Sequence, residues 1–201
     1  MSLITLFLPI LLGVIFFVAV ARVTLYRPRY QRLEDVILFA RKLGASELET
    51  LTDPGEEWSL RNLASRREYH VLQGQRYWLI YEYLKRLSHN AAVVQLWGAE
   101  LYEGIRFKSR ELLTEQDYLI WEMVELSTEL RIYSMTALVQ VWFWVILQMH
   151  RWPMRWTPRI SGLRVIGNMD IVRKYRQLVL ITSALAGTYG EKYHDEIIAA
   201  L

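Results

Sequence analysis

The sequence predicts an all-α chain: a single N-terminal transmembrane helix followed by a cytoplasmic bundle of about four to five helices, two of them long. Three observations carry that expectation. Residues 3–21, LITLFLPILLGVIFFVAVA, form an uncharged apolar run. Beyond it, apolar side chains recur every three or four positions, and no period-two alternation persists. Two long segments open with a hydroxyl residue followed three positions later by an acid, at Ser65 and at Thr114.

Composition fits a hybrid of membrane and water-facing parts. Of the 201 residues 53% are hydrophobic and eight are Trp, while 22% are charged, too many for a chain that is mostly membrane. Cysteine is absent, which excludes disulfides, thiol nucleophiles and cysteine-type zinc sites. The net charge of +3 is mild, and the arginines divide between residues 22–32 and 151–164. Nucleic acid is therefore not an expected partner, because that function needs one dense basic patch.

At 1.5 Å per residue, Leu3 to Ala21 nearly crosses a hydrocarbon core about 30 Å thick. Pro9 and Gly13 are tolerated in such spans. A cleavable signal peptide fits less well, since no Lys or Arg precedes the run and the run exceeds the usual apolar core of such peptides. Arg22, Arg27, Arg29 and Arg32 follow the span, so the N-terminus is expected outside and the body in the cytoplasm. Tyr26 and Tyr30 lie among these arginines, and the six residues together suit a membrane headgroup layer. The expected organisation is an anchor over 1–22, a basic juxtamembrane segment with short helices over 23–64, and a helical bundle over 65–201.

In the juxtamembrane segment, Leu33, Val36, Ile37, Ala40 and Leu43 recur at helical spacing, and Gly44 supplies a stop. Ser46 and Glu49 resemble a capping box for one further turn or two, and Thr52–Gly55, TDPG, reads as a turn. Ser65–Glu68, SRRE, then opens a long helix with its stripe on Tyr69, Leu72, Ile80, Tyr83, Leu87, Ala91, Val94, Leu101 and Ile105, ending near Gly104. Thr114–Asp117, TEQD, opens a second long helix that should run until Pro153. Residues 151–169 lack a period and form an expected irregular Arg/Trp-rich loop. Asp170 is the expected cap of a final helix, which Gly187 and Gly190 separate from the closing EKYHDEIIAAL.

Ile132 to Met149 carries no charge and is long enough to span a bilayer. Two features favour a bundle helix instead. A second span would place the basic end, Arg151, Arg155 and Arg159, outside. Glu122, Glu125, Glu129, Tyr133, Thr136 and Gln140 also make one polar stripe that enters the apolar segment. Trp142 and Trp144 stand about 200° apart on such a helix, so one core cannot take both. With Arg151, Trp152, Arg155 and Trp156 they are the expected interface, aromatic residues and arginine being enriched at such surfaces.

Motifs for catalysis are missing. No nucleophile elbow, phosphate loop or dinucleotide fingerprint occurs. Glu191 and His194 form a Glu-x-x-His, half of a di-iron pattern whose second half is lacking, so neither metal nor cofactor is expected. His89 and Asn90 lie beside the apolar stripe as a buried polar pair that sets packing register. The function expected is a non-catalytic, membrane-anchored accessory or scaffold subunit, docking on a larger membrane protein complex or on further copies of itself. The alternative is a helical-bundle enzyme or carrier of a metal, haem or lipid-like substrate at the membrane surface, using His89, His150 or His194.

Overall fold

The computed structural model describes residues 32–107, 113–149 and 170–201. Every regular element among them is helical: α1 (Leu33–Phe39), α2 (Ala45–Thr52), α3 (Pro54–Leu63), α4 (Arg66–Ile105), α5 (Glu115–Met149), α6 (Ile171–Gly187) and α7 (Glu191–Ala200). The expected anchor, Leu3–Ala21, lies outside the described residues, as do Arg22, Tyr26, Arg27, Arg29 and Tyr30. Arg32 leads directly into α1, its backbone N–H donating to Asp35 Oδ2 at 3.2 Å. Among the described residues no helix is long and apolar enough to cross a membrane.

The two long helices begin with the predicted caps. Ser65 Oγ accepts from the Glu68 N–H at 3.4 Å, while Glu68 Oε2 accepts from the Ser65 N–H at 2.9 Å. Thr114 and Asp117 reciprocate in the same way, at 3.3 and 2.8 Å. Each pair satisfies amides that a helix start leaves open.

Three local expectations are corrected. Gly44, not Ser46, is the residue before α2, so the Ser46–Glu49 spacing falls inside the helix. TDPG is more than a turn: Asp53 caps α3 by accepting from the Glu56 N–H at 3.1 Å, and Pro54 occupies the first helical position, where its missing N–H costs nothing. Asp170 precedes α6 but makes no capping bond; its backbone is left-handed (φ 45°) and its carboxylate pairs with Arg173 at 2.6 Å.

The helices α4 and α5 form an antiparallel hairpin, with 40 and 35 residues respectively. Its seam buries Ile80, Leu84, Leu87, Ala91 and Val94 of α4 against Met123, Leu130, Ala137 and Val141 of α5. Leu72 is on the outer side of α4, so the stripe read from the sequence was rotated there; Gln73 and Arg76 face inward instead. Gly98 sets the closest approach, because a Cβ built on it would stand 2.9 Å from both Met123 Cε and Val124 Cγ2. Gly98→Leu is expected to push the helices apart and lower stability by about 2–3 kcal/mol in urea denaturation. Gly98→Ala should cost far less, since roughly 1 kcal/mol of helix propensity offsets a smaller clash.

The glutamate stripe on α5 meets α6. Gln177 Nε2 donates to Glu122 Oε1 at 2.7 Å, Lys174 pairs with Glu129, and the Lys174 ammonium lies 5.2 Å from the Tyr133 ring centre. These contacts are partly exposed and contribute about 0.2–1 kcal/mol each, so they align α6 more than they hold it. Burial of Ile171, Leu178 and Leu185 holds it.

Asn90 joins four parts of the fold. Its amide pairs with both backbone groups of Arg41, accepting from the N–H and donating to the carbonyl at 2.8 Å each. Its Nδ2 also donates to the Tyr175 hydroxyl at 2.8 Å, which in turn donates to the main-chain oxygen of Leu201 at 2.6 Å. The neighbouring His89 is half-buried, and its Nε2–H donates to the Phe39 carbonyl at 3.0 Å. The α1–α2 connection has no sheet partner, and the two side chains supply one.

Burial pushes the Tyr175 hydroxyl up to about 12, partly opposed by the Asn90 hydrogen bond, and burial pushes Tyr77 the same way. In the folded protein these two tyrosines therefore hold their protons more tightly than in the unfolded chain, where the value is near 10. This stabilisation is complete below pH 10 and is lost as the pH climbs through 12. Tyrosinate absorbance and helical circular dichroism should change together over that interval.

Candidate interaction surface

The site follows from how far each helix reaches. Since α6 runs antiparallel to α5, with Thr188 beside Gln116 and Lys174 beside Glu129, its first residue, Ile171, reaches only to about the level of Ile132. Met149 lies 17 residues further along α5, about 25 Å. Over that distance α5 has α4 for a partner and no α6. On the far flank of α4, α2 and α3 are attached through Arg76 Nη2 to the Leu51 carbonyl at 2.8 Å and Gln73 Nε2 to Glu57 Oε1 at 3.1 Å. The opposite flank of this two-helix arm is uncovered by any described element.

That flank can be traced by register. Gln95 of α4 donates to Thr128 Oγ1 of α5 at 2.7 Å and also bonds Arg131. Two heptads towards the tip of the hairpin, the positions that stand level with each other are Tyr81 on α4 and Trp142 on α5. Trp78 stacks on Tyr81, ring centres 5.7 Å apart, and is 53% exposed. On α5, Ile132, Met135, Val139 and Trp142 succeed one another at intervals of three and four, and Trp142 is 45% exposed. Val71 continues the α4 side. No charged residue interrupts the α5 stripe between Ile132 and Met149.

On a monomer exposed apolar residues are ordinarily scattered singly, whereas these follow one stripe along the arm. Aromatic rings carry much contact area at little entropic cost, which suits a binding surface.

The structure places Trp142 on this face. Trp144 belongs to α5, but its side chain lies outside the described residues, as do Arg151, Trp152, Arg155 and Trp156. The aromatic pair Trp78–Tyr81 was not anticipated, although Trp and Tyr three apart on a helix share a side. His89 bonds the Phe39 carbonyl and His194 lies 3.1 Å from Asp195, while His150 is outside the described residues. Glu191 and His194 acquire no further ligand, and among the described residues no group of three His, Cys, Asp or Glu could hold a metal ion. The chain matches no protein-family model, no curated protein and no solved structure.

Proposed function

We propose that this protein is a membrane-anchored helical docking subunit, without catalysis of its own, whose α4–α5 arm binds an apolar surface of a larger membrane protein assembly. The observation that carries the reading is the stripe of Trp78, Tyr81, Ile132, Val139 and Trp142, which no described element covers where α6 stops short. The anchor over 1–22 and the arginines and tyrosines after it would hold the arm near such a partner, and raise its effective concentration there. The Arg/Trp-rich residues 151–156 extend the same composition beyond the end of α5.

Because the chain has no cysteine, a single introduced thiol reports directly. With Val139→Cys, a membrane-impermeant maleimide is expected to label the detergent-purified protein rapidly and the protein in opened native membranes at least tenfold more slowly. Equal labelling in both would remove the docking reading.

A further inference from the structure

The junction of α3 with α4 reverses the usual arrangement of a surface helix. Glu57 points inward and is 4% exposed, whereas its neighbours Trp58 and Leu63 point outward. Its Oε1 accepts from Gln73 Nε2 at 3.1 Å and from the Tyr69 hydroxyl at 3.4 Å. One turn along α4, Arg76 donates through Nη2 to Leu51. Gln73 and Arg76 are three residues apart and share a helix face. Their partners, Leu51 and Glu57, flank the α2–α3 turn, so both side chains end in one cleft beneath it.

Each side chain keeps one polar atom that no protein group satisfies: Gln73 Oε1, an acceptor, and Arg76 Nη1, a donor. Both residues are more than nine-tenths buried. Native proteins satisfy such atoms, and where no protein group reaches them ordered water does so. The ligand should be neutral. Glu57 and Arg76 are both buried here and opposite in charge, so a bound ion would leave a buried charge uncompensated.

We propose that the cleft between the α2–α3 turn and α4 binds one water molecule, which donates to Gln73 Oε1 and accepts from Arg76 Nη1. The water completes the attachment of α3, whose inward face is polar where a helix ordinarily presents apolar side chains.

A crystal structure of the unmodified protein that resolves ordered solvent tests the site. Density is expected about 2.7–3.2 Å from both atoms. An empty cleft, or protein groups paired with both atoms, would overturn the proposal.

Discussion

Asn90→Leu is expected to lower the stability of the folded protein by about 3 kcal/mol, the largest single effect anticipated for a near-isosteric change. The substituted side chain fits the space but makes none of the three hydrogen bonds. The N–H and carbonyl of Arg41 then lose their partner beside a residue that is fully buried, and the Tyr175 hydroxyl keeps only its bond to Leu201. Orphaned groups of this kind cost more than the bonds themselves contribute. For a chain of this size the melting temperature should fall by roughly 10 °C, read by circular dichroism. Tyr175→Phe should cost less, and the double variant should cost less than the sum, because the two residues belong to one network. A loss below about 1 kcal/mol for Asn90→Leu would mean that the α1–α2 connection is held by something else.

Trp78→Glu combined with Trp142→Glu is expected to leave the fold intact and to weaken partner binding at least a hundredfold. Each indole is about half exposed, so replacing it should change stability by about 1 kcal/mol or less. At a docked interface the same rings would be buried, and large aromatic anchors there commonly contribute 2 kcal/mol or more each. Placing a carboxylate in that position adds a desolvation cost. The combination of unchanged unfolding and lost binding distinguishes a docking surface from an ordinary exposed patch. Trp58→Glu, outside the arm, serves as the control.

Much of the helical division was legible because it rests on local chemistry. The reciprocal caps at Ser65–Glu68 and Thr114–Asp117 depend on residues three apart, and Gly190, at φ 152°, marks the break between α6 and α7. Asn90 stood out as a polar residue in an apolar stripe. Its partners did not, since Arg41 and Tyr175 lie 49 and 85 residues away and offer a backbone and a hydroxyl that carry no pattern.

The helix α3 was missed for the opposite reason. Its Asp-Pro-Gly opening is shared by turns and helix starts, and the residue it buries is Glu57, which periodicity assigns to the outside. The same inversion rotated the stripe of α4 onto Leu72, because Gln73 and Arg76 are core-facing polar residues. The apolar run of α5 attracted attention as hydropathy. Its meaning comes from where α6 ends, and the length of one helix does not announce the reach of its neighbour.

The proposed docking of the α4–α5 arm on a larger membrane assembly has a simple readout. The most direct measurement is the size of the full-length protein after gentle detergent extraction from its native membrane, compared with the Trp78→Glu/Trp142→Glu variant. The wild type should elute in a complex larger than one copy, and the variant, with unchanged unfolding, as a monomer. A wild-type protein that elutes as a single monodisperse copy without a partner would contradict the account.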